Sequence, residues 1–355
     1  LLQNLLIALL ITFVVVYLAT PVVKKLAFKV RAIDDPDERK VHSRVMPRLG
    51  GLAIYLGFTL AILVTQPLTN AVWGLLLGGT VIMLLGVADD IKGLSPRVKL
   101  AGQVAAALIL VAFGIRVEFL TNPFAGMFPL ASLVIPVTLL WIIGITNAIN
   151  LIDGLDGLAA GTSGIAAVTM AVVTALEGHT AIAALALILG ASLAGFLRYN
   201  FYPAQIFMGD SGSMFLGFIL AALAIMGLTK GATVISLFIP VVILGIPIMD
   251  TLFAIVRRFF NRKPIFQPDK QHLHHCLLNI GLSHRQTVLA IYLVNICLGI
   301  SAVFLTQLTT DQSVVMLVGL SVIMLTAANK IGVSGGITFK GIIKRVEDRK
   351  SFFRA

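Results

Sequence analysis

The sequence predicts an all-α, polytopic membrane fold of about eleven transmembrane helices, and three observations carry the prediction. Of the 355 residues, 58% are hydrophobic and 12% charged, too little polar surface to cover a soluble core of this size. Apolar runs recur along the whole chain, each close to the ~20 residues that cross a bilayer. The basic residues fall almost entirely into alternate inter-run loops, the asymmetry of a chain threaded back and forth through a membrane.

The runs lie at Leu1 to Val23, Gly50 to Thr65, Asn70 to Ala88, Val98 to Ile115, Pro129 to Ile149, Gly157 to Leu176, Thr180 to Leu197, Ser211 to Thr229, Ala232 to Val256, Thr287 to Leu308 and Gln312 to Ala328. The first has neither a basic flank ahead of it nor a clear cleavage site, so it is expected to be a retained helix. Gly154 and Gly157, costly inside a helix, predict that the fifth run ends between Asn150 and Asp153 and that Asp156 caps the sixth. In the ninth, Pro247 predicts a kink. Eleven crossings leave all but Arg116 and Lys230 of the 27 Lys+Arg on one side, which predicts an outside N-terminus and a cytoplasmic C-terminus in the cell inner (plasma) membrane. The expected organisation is a transmembrane catalytic domain over 1–329 and a basic cytoplasmic tail over 330–355, the tail suited to anionic headgroups of membrane lipids. No repeat or low-complexity segment interrupts it. A net charge of +11 distributed this way points to topology and not to nucleic acid. Cys276 lies in a basic loop and Cys297 in an apolar run, so no disulfide between them is expected.

Every motif-like stretch falls on the predicted cytoplasmic side. Asp89 and Asp90 end the third run and Lys99 opens the fourth; adjacent acids beside a lysine suit a metal or general-base site able to hold a phosphate, although a hydrated helix end has the same composition. In "TNAINLIDGLDGLAAG", Asn147, Asn150, Asp153 and Asp156 recur every three residues, and such a step drifts about 60° per residue pair around a helix, so the four cannot share one face. A polar cluster converging at a helix junction explains them better than an ordinary turn. "FMGDSGSMFLG" places Asp210 between Gly209 and Gly212 at a helix start, where free backbone N–H groups attract phosphate and the carboxylate suits Mg²⁺; an N-cap is the plainer alternative. "PDKQHLHHCLL" supplies Asp269, Lys270, His272, His274 and His275 for phosphate oxygens, with zinc a poorer fit because adjacent histidines rarely share one ion. "DDPDERKVHSRVMPRLGG" reads as a self-neutralising loop whose Gly50-Gly51 pair lets backbone approach a ligand. Asp250, seven residues or about two turns before Arg257, suits a structural partner as well as a site residue.

These stretches in this order resemble the polyprenyl-phosphate N-acetylhexosamine-1-phosphate transferase superfamily, over most of the chain from about Asp34 to His275. His272-Leu273-His274-His275 is similar to the histidine motif of the bacterial branch that uses UDP-N-acetylglucosamine and undecaprenyl phosphate. It lacks the three consecutive histidines of the muramoyl-pentapeptide branch. The resemblance implies catalytic roles for Asp89, Asp90 and Asp153, Mg²⁺ (with Mn²⁺ able to substitute) at Asn150 and Asp210, and lipid phosphate at Lys99. It further implies nucleotide-sugar contacts from Asn147, Asp156, His272, His274 and His275, to which the glycine reading adds Gly50 and Gly51. A homodimer is compatible with it. The chemistry stands on its own: a UDP-sugar and a lipid phosphate bring about four negative charges together, so a divalent cation and basic donors are needed. The lipid phosphate, dianionic at neutral pH, is already a nucleophile, which predicts one displacement at the β-phosphorus; an aspartyl-bound intermediate is the rival. A muramoyl-pentapeptide transferase and an ion-coupled transporter are the alternative functions, the latter disfavoured because its ionisable groups belong at mid-membrane.

Overall fold

A computed structural model describes residues 2–36, 44–122, 126–228, 238–261 and 271–333. The run 37–43, Asp269 and Lys270 of the histidine loop, and the tail beyond Val333 lie outside the described residues.

The apolar runs are helices: α1 (Leu2–Lys29), α2 (Gly51–Thr65), α3 (Asn70–Lys92), α4 (Pro96–Ala112), α5 (Val134–Ile152), α6 (Leu158–Leu176), α7 (Thr180–Asn200), α8 (Gly209–Leu228), α9 (Phe238–Ile243), α10 (Gly245–Phe260), α11 (Leu273–Asn279), α12 (His284–Leu305) and α13 (Thr310–Ile331). Among the described residues, eight helical segments are long and apolar enough to cross a membrane; α2 is apolar but short, and α4 and the α9–α10 pair fall outside that set. The ninth run breaks at Leu244, three residues ahead of Pro247. A proline clashes with the carbonyl four residues earlier, here Ile243, and that is the last residue of α9; within the first turn of α10 the missing N–H of Pro247 has little consequence.

Two small ribbons depart from the purely helical expectation. β1 (Ile33–Asp34) pairs antiparallel with β2 (Met46–Pro47), and β3 (Phe119–Asn122) with β4 (Gly126–Pro129). The first ribbon is tied onward by a parallel bridge from Arg48 to Phe207, which brings the α1–α2 connection to the start of α8.

Helix α8 is the centre of the bundle. Its hydrophobic residues from Met214 to Ile225 are all buried, and α2, α3, α5 and α6 pack around it. The membrane-length window of α13 is only 6% buried, against 83% for α8, so α13 lies at the periphery with its apolar side chains facing outward. The close approach to α8 is made by glycine: a methyl at Gly51 would overlap the backbone of Gly212, and one at Gly86 the backbone of Ser211.

Candidate active site

Four alternate connections place their functional residues at one end of the bundle, because the C-terminal ends of α1, α3, α5 and α7 meet the N-terminal ends of α2, α4, α6 and α8 there. A cavity of about 830 Å³ opens among them, lined by residues that include Arg48, Asp153, Asp156, Asp210, His274 and His275. That size lies in the range of small-molecule sites.

At the inner edge of the cavity stands a cluster of three charged side chains and one amide. Lys99 Nζ lies 2.7 Å from Asp210 Oδ2 and also contacts the Asp89 carboxylate. Asn150 Nδ2 donates to Asp210 Oδ1 at 2.8 Å and to Ser213 Oγ at 2.9 Å. The other oxygen of Asp89 accepts from Leu94 N at 2.6 Å, fixing that carboxylate beneath the turn into α4. Four of the predicted residues, Asp89, Lys99, Asn150 and Asp210, are therefore brought together although 121 positions separate the outermost two in sequence.

Asp90 lines the cavity and also holds the start of α8. Its two oxygens accept from Asp210 N at 2.9 Å and Ser211 N at 3.0 Å, so it caps the first turn of α8 from a different helix. Its carbonyl accepts from Arg48 Nε at 3.3 Å and Nη2 at 3.1 Å. With its carboxylate engaged on two backbone donors, Asp90 orients Asp210.

The junction after α5 forms as the glycines predict. The helix ends at Ile152, and Gly157, at φ 75°, turns the chain into α6. Gly157 holds the cap position expected for Asp156, because only a residue tolerant of positive φ fits there. Asp156 turns away instead: its Oδ2 accepts from Ala204 N at 2.9 Å, and its own N–H donates to His284 Nε2 at 3.0 Å. Asn200 fastens the same junction, accepting from Gly157 N at 3.2 Å and donating to Ile206 O at 3.0 Å, and the Tyr292 hydroxyl donates to Gly157 O. Asp153 faces the cavity. Burial, reinforced by the charges of Asp210, Asp90 and Asp156, pushes its carboxyl up to about 8.

The histidines divide. His274 and His275 line the cavity, whereas His272 is buried behind them with Nδ1 2.9 Å from Asp250 Oδ2. The second oxygen of Asp250 accepts from Leu273 N at 2.8 Å, so this aspartate anchors the start of α11. Burial, with the neighbouring His275, pushes the His274 imidazole down to about 3 and keeps it neutral.

Five predicted binding residues do not line the cavity: Lys99 stands in the cluster at its edge, His272 lies behind it, and Gly50, Gly51 and Asn147 meet other protein groups. Gly50 and Gly51 were expected to admit a ligand; Gly50 N donates to Phe207 O at 3.0 Å and Gly51 N to Met208 O at 2.9 Å, so the glycines admit neighbouring protein backbone. Asn147 sits deeper, its side-chain amide paired with that of Gln103. Sequence reading missed Arg48, Asn200, Tyr202 and His284 as cavity residues. None belongs to a spaced motif, and the only signal available was position at a run boundary on the motif-bearing side.

The profile of glycosyl transferase family 4 matches residues 72–228, which spans Asp89 through Asp210. A Bacillus subtilis (strain 168) protein named "Probable undecaprenyl-phosphate N-acetylglucosaminyl 1-phosphate transferase" is 44% identical over 92% of this chain and 92% of its own length. The chain belongs to the polyprenyl-phosphate N-acetylhexosamine-1-phosphate transferases. This transferase is also similar to a Mycobacterium leprae (strain TN) "Decaprenyl-phosphate N-acetylglucosaminephosphotransferase", 39% identical over 79% of the chain and 78% of the relative. A Desulforudis audaxviator (strain MP104C) "Phospho-N-acetylmuramoyl-pentapeptide-transferase" is 31% identical over 83% and 94%.

The donor set of the transferase fits Mg²⁺. Among the described residues no three His, Cys, Asp or Glu side chains form a complete ligand group. Mg²⁺ is held by one or two carboxylates with water and substrate phosphate supplying the rest; the Asp210 carboxylate, joined by the side-chain oxygen of Asn150 once its amide turns from the present Nδ2 contact with Asp210, would offer that partial set of hard donors.

Proposed function

We propose that this transferase moves N-acetylglucosamine-1-phosphate from UDP-N-acetylglucosamine to undecaprenyl phosphate at the cytoplasmic face, releasing UMP. The observation that carries this reading is the meeting of Lys99, Asn150 and Asp210 beside a cavity rimmed by Arg48, His274 and His275. Acids and bases at one end of the bundle, with the apolar flank of α4 alongside, suit a reaction between a soluble anion and a lipid anion. Bound at Asp210 and Asn150, Mg²⁺ would offset the diphosphate charge. Lys99 would hold the acceptor phosphate, leaving Asp89 to orient the lysine. Arg48 and the neutral His274 would donate to diphosphate oxygens, and Asp156 would face the nucleotide. An acceptor oxygen then bonds to the β-phosphorus as the bond to the bridging oxygen breaks, and that oxygen leaves with its electron pair on UMP.

The same reading takes α2, α4 and the α9–α10 pair as further crossings, eleven in all. An odd count puts the termini on opposite sides, with the cavity end cytoplasmic because it carries the basic loops. The deciding assay supplies purified protein with UDP-N-acetylglucosamine, undecaprenyl phosphate and Mg²⁺, and follows UMP together with lipid-linked sugar. Both are expected to appear in equal amounts and to vanish in EDTA and in Asp210→Asn. Exclusive use of a muramoyl-pentapeptide donor would replace the substrate assignment, and UMP release without acceptor lipid would replace the single displacement.

A further inference from the structure

Beneath the charged cluster lies a second tier built from the same three helices. Lys99, Asn150 and Asp210 stand on α4, α5 and α8; one helical turn further into the bundle these helices present Gln103, Asn147 and Met214. Gln103 is buried and touches both other members of the tier. Its Nε2 lies 3.3 Å from Asn147 Oδ1 and 3.5 Å from Met214 Sδ, and its Oε1 accepts from Asn147 Nδ2 at 2.9 Å. Asn147 Nδ2 also donates to Ile143 O at 2.8 Å, which fixes the rotamer that Gln103 must match. Two amides that satisfy each other in an apolar surround tolerate little rotation or sliding of one helix against the other, because any shift leaves a buried donor or acceptor unmet.

The geometry points to Gln103 as a positioning residue: its reciprocal amide pair with Asn147 sets the register of α4 against α5, and so holds Lys99 and Asn150 at their separation around Asp210. This rests on the proposed roles of Lys99 at the acceptor phosphate and of Asn150 and Asp210 at the divalent cation. Asn147 thereby works from below the site, as the partner of Gln103, and not on the nucleotide-sugar.

The test uses the full chain purified in lipid nanodiscs and compares Gln103→Leu, Gln103→Asn, Asn147→Gln and the exchanged pair Gln103→Asn with Asn147→Gln. Two quantities are read: Mn²⁺ affinity by electron paramagnetic resonance without substrates, and kcat against acceptor KM in the transfer assay. A register fault is expected to weaken Mn²⁺ binding and lower kcat by about tenfold in Gln103→Leu. The exchanged pair, which rebuilds the amide contact with the same combined length, is expected to recover most of both. Packing alone would lower the melting temperature while leaving Mn²⁺ affinity and kcat within about twofold of wild type, and that result overturns the proposal. Should Gln103→Leu not fold, Gln103→Asn and the exchanged pair carry the same comparison, and an exchanged pair no better than its single parents also overturns it. Asp210→Asn separates the two levels of inference. Loss of Mn²⁺ binding there with unaffected Gln103 variants defeats only the positioning role, whereas unchanged Mn²⁺ binding in Asp210→Asn defeats the metal assignment beneath it.

Discussion

Asp153 and Asp90 show how two acids near one cavity acquire unlike roles from their surroundings. Asp90 faces backbone donors at the start of α8. Asp153 sits at the end of α5 among other carboxylates, and its carboxyl is pushed up to about 8, far above the 3.8 of a free aspartate. The folded chain therefore holds a proton there that the unfolded chain has released between those two values. The stability this supplies is complete below about 4 and is lost as pH rises through about 8. With divalent cations removed by EDTA, stability from this group is expected to fall by at most about 1.4 kcal/mol per pH unit across that window. Asp153→Asn should flatten the decline, and melting temperatures of both proteins at pH 5 and pH 8 check it. A parallel decline in the variant would assign the effect to other groups. Asp153 was legible as a site residue because the three-residue spacing ends at glycine; its raised proton affinity was not, since it depends on burial by the assembled bundle and then on the charges of Asp210 and Asp90 from two other helices.

At the scale of elements, helix ends carry the site. The start of α8 is capped by a residue 120 positions earlier, and the start of α11 by Asp250, 23 positions before Leu273. Both caps are buried aspartates on neighbouring helices, so they orient an element and join it to the bundle at once. Asp90→Ala removes two charge-assisted bonds and leaves two N–H groups unmet, which is expected to cost about 1–3 kcal/mol. The measurable outcome is a lower melting temperature together with reduced transfer, because Asp210 loses its fixed direction. A variant as stable and active as the wild type would show that water replaces the cap. Element boundaries were largely legible from the runs themselves, as at Leu176 and Thr180, where the apolar pattern stops and restarts. The division at Leu244 was displaced from the proline that signals it, because proline disturbs the carbonyl four residues before itself.

For the whole molecule, the decisive property is parity. Motif-bearing ends alternate between helix C-termini and helix N-termini from α1 to α8, which gathers the site residues from Arg48 to Asp210 at one end, where α11 adds its histidines. Cysteine labelling tests the proposed orientation on a background of Cys276→Ser and Cys297→Ser. Lys92→Cys, at the cavity end, should react with a membrane-impermeant maleimide only after permeabilisation, and Thr180→Cys, at the far end, in intact cells; both positions are exposed. The reverse pattern would invert the topology. The exposed apolar residues along α13, Val315, Val318, Val322 and Ile323, accord with a lipid-facing surface on this outermost helix.

By itself the sequence determined the helices, their order, the end at which the motifs gather and the family. Each of these is written in local patterns: apolar run length, glycine at breaks, charge bias between runs and short spaced motifs. Only the tertiary structure decided what each polar residue does. Asp90 became a cap, Asp250 an anchor for His272, Asn147 the partner of Gln103, and Gly50 and Gly51 points of contact with the Phe207–Met208 segment. The physical reason is that a buried polar group must find its partner on whichever helix lies beside it, and periodicity along one helix does not reveal which neighbour that is.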